Sequence, residues 1–234
     1  MGNLAASSES VHPSDLLQKV EADGFAIVPS CLDDETVEQL GTHLSNSSYG
    51  MRNLLAVPLV RELAASATMR ILAETVVGKN CFAVKGTLFN KTQESNWKVA
   101  WHQDLTIMVQ RRHEVDGFGP WTTKAGIPHV QPPSEILSHI IAVRLHLDES
   151  GPDNGPLRVI PGSHHKGRLS SEEIATWQKS NSVVCSVPRG GALLMRPLLL
   201  HASSACVVSR PRRVIHLEFS SDELPNGLQW HDRV

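Results

Sequence analysis

At 234 residues the chain is long enough for one substantial core and short enough to form a single domain, 1–234. Its 41% apolar and 20% charged residues match an ordinary globular protein and exclude wholesale disorder. A formal charge of −2 gives no electrostatic reason to expect a nucleic-acid or anionic-membrane partner, and no apolar run approaches the ~18 residues of a membrane span.

The first part, about 1–80, reads as helical with one short strand. Ser14 is placed to cap a helix through Leu16, Leu17 and Val20 that stops near Gly24. Phe25 to Val28 is β-like and ends at Pro29, and Asp33 opens a second helix with Val37, Leu40 and Leu44 on one face. A third helical stretch covers about 59–77 and ends at Gly78; its alanines suggest packing against a larger body.

From Cys81 to about 220 the chain becomes a series of short, β-branched-rich runs. CFAVKGTLFNK, WKVAWHQDLTIMV, IIAVRLHLDE, PLRVIPGSH, SVVCSV, GALLMRPLLLHASS and RRVIHLEFS are separated by Gly, Pro, Asn and Ser clusters. This order predicts helices packed outside an antiparallel barrel or sandwich. The long segment 111–138, rich in Pro and Gly and carrying Trp121 and His129, is the predicted lid, mobile until substrate binds.

Cys31, Cys81, Cys185 and Cys206 stand far apart without a CxxC pair, which disfavours a zinc ribbon or disulfide framework. The N-terminus lacks a basic segment followed by an apolar one, so the expected location is cytoplasmic.

The chemistry begins with His102-Gln103-Asp104. Residues i and i+2 of a strand share a face, so His102 and Asp104 can reach one metal ion. Two histidines and a carboxylate suit Fe(II) and leave positions open for oxygen and a co-substrate. A three-residue match is weak alone, and a second occurs at His146-Leu147-Asp148. That one runs into turn chemistry and lies close before His201, whereas His102 leaves room for the intervening strands. His201, at the end of a buried-strand pattern, completes the candidate triad. Arg212 lies eleven residues further on, and Ser203 shares a strand face with His201. A dicarboxylate co-substrate needs such a fixed cation, helped by a hydroxyl.

DNGPLRVIPGSHHKG at 153–167, together with WHQD, the His-x-Ser at 201–203 and the later arginine, resembles the phytanoyl-CoA dioxygenase-like family over roughly 81–220. The resemblance implies a mainly β double-stranded β-helix (jelly-roll, cupin-like barrel) with flanking helices. It also implies Fe(II) and molecular oxygen, with 2-oxoglutarate decarboxylated to succinate. By position, His102, Asp104 and His201 match the iron ligands, Arg212 and Ser203 the 2-oxoglutarate carboxylate clamp, and Asn90 a co-substrate contact. Halogenating relatives replace the carboxylate ligand; Asp104 is present, which favours hydroxylation or desaturation.

Other residues admit two readings. Arg144 and His146 share one face of a strand, either lining the pocket to meet substrate or lying on the solvated outside; Lys85 and Thr87 carry the same ambiguity. Trp97, Trp101 and Trp121 read as packing residues, with Trp121 the best candidate for substrate contact. His164 and His165 belong to the hairpin, and Arg210 is the fallback for the clamp. A non-catalytic jelly-roll sensor and a cupin-type zinc or manganese enzyme are the competing classes. The prime substrate is left open, with a modest apolar natural product or small metabolite as the expectation.

Overall fold

The structure is a computed structural model describing residues 12–45, 50–91, 96, 98–207 and 210–234; Trp97 lies outside them. The helices form largely where the pattern places them. Helix α1 (Pro13–Asp23) begins two residues earlier than expected. His12, rather than Ser14, is the N-cap, because Pro13 has no N–H to satisfy and fits the first helical position. It ends at Gly24, whose φ of 86° favours a residue without Cβ. Strand β1 (Phe25–Val28) follows, and Asp33 caps α2 (Asp34–His43) by accepting from Thr36 N–H at 2.7 Å.

Strand β2 (Gly50–Arg52) was not expected in the helical part. The third helical stretch is two helices, α3 (Pro58–Ala65) and α4 (Ala67–Val77). Ser66 is extended and its hydroxyl caps α4, so the alanine-rich run breaks where a capping residue interrupts it.

The remaining elements are β3 (Phe82–Lys91), β4 (Val99–His102), β5 (Ile107–Met108), β6 (Trp121–Lys124), β7 (Ile127–Val130), α5 (Ser134–Ser138), β8 (Ile140–His146) and β9 (Leu157–Val159). After them come α6 (Ser171–Trp177), β10 (Val183–Cys185), β11 (Ala192–Met195), β12 (His201–Ser203) and β13 (Arg212–Ser220). The large sheet runs β1-β11-β8-β13-β3-β2 and the small one β10-β9-β12-β4. All their pairings are antiparallel.

Alternation along the central strands builds two layers of core. On β11, Ala192 and Leu194 face the helices while Leu193 and Met195 face the small sheet. On β13, Ile215, Leu217 and Phe219 join Val20, Leu40, Leu72 and Val76 of the helices. Each fully buried Leu, Val or Phe there contributes roughly 1.5–3 kcal/mol relative to exposure. Between the sheets, Leu157, Val159 and Cys185 meet Ala142, Leu193 and Met195. The result is a double-stranded β-helix with helices against its outer face, and its polar interior lies towards the β4–β12 end.

The segment 111–138 is not an irregular loop. Its β6–β7 hairpin pairs with β5 in a third, three-stranded sheet, and α5 follows. All four cysteines are free thiols, Cys81 and Cys185 buried and Cys31 and Cys206 half-buried. Among the described residues no helix is long and apolar enough to cross a membrane.

Candidate active site

The β12–β4 ladder sets His201 directly opposite His102, with ring centroids 4.2 Å apart. His102 ends β4, and Asp104 lies just beyond it, fixed by its N–H donating to Pro197 O at 2.9 Å. Asp104 Oδ1 is 3.8 Å from His102 Nε2, and Oδ2 is 3.6 Å from His201 Nε2. Ligand atoms of the three residues all lie within 4.8 Å of one another. His201 does not sit at the end of the GGALLM strand. The chain turns at Arg196 to Leu199 and His201 opens a new strand in the other sheet, a crossing that strand patterning alone does not show.

Each imidazole is tied to its own backbone. His102 Nδ1 lies 2.8 Å from Ala100 O, and His201 Nδ1 lies 2.8 Å from Leu199 O. A carbonyl only accepts, so both Nδ1 atoms carry the proton and both Nε2 lone pairs are left for a metal. Burial pushes the His201 pKa down to about 4, against the opposing pull of Asp104, which keeps the ring neutral and ligand-competent near neutral pH. Burial alone would raise the Asp104 carboxyl, but the neighbouring His201, His216, Lys85 and His102 bring it well below the usual range. The triad thus offers two imidazole nitrogens and one carboxylate, the donor set of a non-haem Fe(II) site.

Beside the triad is a cavity of about 70 Å³, bordered by Lys91, Arg144, Ser203 and Arg212. Arg212 is 2% exposed, and its Nε and Nη1 have no hydrogen-bond partner among the described residues. Such buried donors are costly unless an acceptor enters the cavity. Lys91 donates to Ser203 Oγ at 2.9 Å and to Ser204 O at 2.7 Å, which leaves the Ser203 O–H free to donate onward. Burial, then repulsion from Arg212, lowers the Lys91 pKa to about 8. Arg144 also faces inward; burial and Arg212 lower it to about 10, and it donates to His216 Nδ1 at 2.9 Å. A polar chain continues from there, with His216 Nε2 3.0 Å from Glu218 Oε1 and Glu218 accepting from Lys85 at 2.6 Å.

The structure brings together His102, Asp104, His201, Ser203, Arg212 and Arg144. It does not bring Asn90 to the cavity. Asn90 pairs in register with Arg213 on the helix-facing side of β3, and the inward neighbour Lys91 borders the cavity instead. Trp121 packs with the apolar cluster around Phe118 and Val130, under Arg112; its hairpin reaches the site through Lys124 and His129. Lys85, Thr87 and His146 face inward as well. Arg210 pairs with Asp153 at the surface, and Arg213 with Asp148, which removes the second His-x-Asp from consideration. Trp101 stacks under Arg158. His164 and His165 stack on each other, His164 bonding Glu21 O, beside a more open depression without a convergent ligand set.

Sequence reasoning missed Lys91 and Gln103. Gln103 points away from its two neighbours: its amide donates to Gly167 O and Leu198 O, and its carbonyl accepts from Leu169 N–H at 2.8 Å. Alternation along His102-Gln103-Asp104 puts Gln103 on the other face, but its partners come from loops no periodicity predicts. Lys91 was signalled by sharing inward parity with Lys85 and Thr87, a face that the sequence left ambiguous.

Comparisons with known proteins agree with this arrangement. An ectoine dioxygenase of Sphingopyxis alaskensis is 25% identical over 140 residues, 58% of this chain, and the match spans only 37% of that protein's length. The crystal structure of EctD from S. alaskensis with bound Fe superposes with a TM-score of 0.70 at 19% identity, covering 96% of this chain and 85% of that one. HygX from Streptomyces hygroscopicus, with nickel and 2-oxoglutarate bound, gives 0.64 at 16% identity, covering 88% and 85%. These two likenesses establish the fold. The family model for phytanoyl-CoA dioxygenase (PhyH) matches residues 51–214, which span β2 to β13 and include the His102, Asp104 and His201 cluster, and the chain belongs to that family.

Proposed function

We propose that this chain is an Fe(II)- and 2-oxoglutarate-dependent dioxygenase that oxidises an unactivated C–H bond of a small molecule, by hydroxylation, with release of succinate and CO₂. One observation carries the reading: a two-histidine, one-carboxylate cluster beside a buried arginine whose Nε and Nη1 are unsatisfied. Bound iron would supply oxygen activation and electron transfer, chemistry that no side chain here provides.

The chain's own residues do the rest. His102 and His201 present Nε2 because the backbone holds their Nδ1 protons. Asp104 supplies the anionic ligand. Arg212 would hold the distal carboxylate of 2-oxoglutarate, with Ser203 donating its free O–H and Lys91 fixing Ser203 in place. The cavity, only about 70 Å³, leaves little room for water beside the triad. The likenesses to the Fe-bound EctD and the 2-oxoglutarate-bound HygX support the same assignment. A sensor scaffold or a zinc or manganese cupin enzyme would have no use for a buried, unpartnered arginine next to its metal.

The test begins anaerobically. The protein mixed with Fe(II) and 2-oxoglutarate is expected to give a weak visible charge-transfer band, and to release succinate and CO₂ when oxygen is admitted. Absence of both overturns the proposal.

A further inference from the structure

A second cavity, of about 150 Å³, meets the first at Asp104 and Phe89, so the triad's carboxylate borders both. Its wall is built by two separate sheets. Arg52 on β2 stands directly opposite Thr87 on β3, and opposite residues of an antiparallel pair share a face, which puts Arg52 on the cavity side, at its exposed rim. From the other side come Lys124 and His129: Lys124 is opposite Ile127, two positions from His129, so the hairpin presents both on one face.

The charges on this wall do not cancel. Three cations, Arg52, Lys85 and Lys124, face one carboxylate besides the metal ligand, Glu218. Glu218 is already held by Lys85 at 2.6 Å. Arg52 and Lys124 have no ion pair among the described residues, and the ammonium of Lys124 is disfavoured by burial and then by Lys85 and Arg52. His129 is 2% exposed and its Nδ1 lies 3.0 Å from Ile127 O, so its Nε2 faces the cavity as an acceptor. Met108 and Phe89 supply the apolar remainder.

Resting on the oxygenase reading above, we infer that this second cavity receives the prime substrate, and that the substrate is a small polar molecule carrying an anionic group. A carboxylate or phosphate would lie between Arg52 and Lys124, a hydroxyl or amino hydrogen would meet His129 Nε2, and the oxidised carbon would lie towards Asp104. This narrows the apolar natural product or small metabolite expected from the sequence to a small anionic metabolite. Two cations from different sheets, the exposed Arg52 and the half-buried Lys124, border the cavity with no ion pair among the described residues and form a recognition site that a hydrocarbon would leave unused.

Calorimetric titration of the anaerobic protein loaded with Fe(II) and 2-oxoglutarate tests this. The probes are three- to six-carbon hydroxy, amino and dicarboxylic acids, the methyl esters of the same acids, and three- to five-carbon sugar phosphates. At least one anionic probe is expected to bind and to stimulate succinate release on aeration, with its neutral ester at least tenfold weaker. The acid and phosphate arms identify which anion is used. Lys124→Gln and Arg52→Gln should each weaken the anion at least tenfold, while Arg61→Gln, an exposed cation on α3, should not. No binding anion, equal affinity for the ester, or unchanged affinity in both variants overturns the inference. Failure to take up Fe(II) and 2-oxoglutarate before any probe is added defeats the oxygenase reading itself, and this inference with it.

Discussion

Arg212 and Lys91 stand directly opposite each other in the β13–β3 ladder, both almost completely buried. Like charges facing each other across a ladder oppose folding, and their burial adds to the cost. The unsatisfied Nε and Nη1 of Arg212 make sense as half of an interaction completed by an anion.

Arg212→Met should therefore separate stability from binding. The metal-free variant is expected to melt no lower than the wild type, since an apolar side chain replaces a guanidinium with unsatisfied donors. Its affinity for 2-oxoglutarate should fall by on the order of 2–5 kcal/mol. Thermal melts and calorimetric titration read the two effects, and undiminished affinity would remove Arg212 from the clamp.

Asp104→Ala should abolish iron uptake and turnover while the fold survives, because Asp104 Oδ1 and Oδ2 serve the two imidazoles and no part of the apolar core. His102→Ala should do the same. Metal content after loading and gel filtration, with circular dichroism as the folding control, decides it. A variant that retains stoichiometric iron contradicts the triad.

His146 gives the protein an acid liability. It is 2% exposed, neither ring nitrogen has a partner among the described residues, and burial, then Arg144 and Arg212, hold its pKa well below the ordinary 6.5. The unfolded chain takes up a proton near pH 6.5 that the folded chain refuses, so the unfolded state binds more protons there. Stability should be full above 6.5 and decline as pH falls below it. His146→Leu should flatten that decline in urea titrations of metal-free protein between pH 7.5 and 5. An unchanged slope would assign the acid sensitivity elsewhere.

Gln103→Leu tests the support of the triad. The substitution leaves Gly167 O, Leu198 O and Leu169 N–H without their partner. Denaturant titration should show a loss of about 2–4 kcal/mol, since several buried backbone groups become unsatisfied together. Iron affinity should fall as well, because the segment between His102 and Asp104 loses its anchor. Full iron affinity in a destabilised variant would confine Gln103 to folding.

Much of this was legible in the sequence because it depends on local periodicity. Asp33 capping α2, β1 ending before Pro29, and His201 and Ser203 sharing a strand face all follow from one- to four-residue rules. What stayed hidden depends on long-range pairing. Arg144 and His146 could face either way until β8 was set between β11 and β13. Asn90 and Lys91 exchange roles with a one-residue change in parity. The hairpin at 121–130 was hidden because β6 and β7 are only four residues each and carry Pro128. Its contribution through Lys124 and His129, rather than Trp121, became visible only with the β5–β7 pairing.

Phe89 borders both chambers, with the Arg144 guanidinium 5.1 Å from its ring centroid and His216 edge-on at 5.8 Å. Two cation-lined berths that meet at Phe89 and Asp104 mean that an organic acid small enough for either can lodge in the wrong one. Excess 2-oxoglutarate should then compete with the molecule being oxidised and slow the enzyme at high concentration. Trimming Phe89 to alanine should deepen that self-inhibition by joining the chambers.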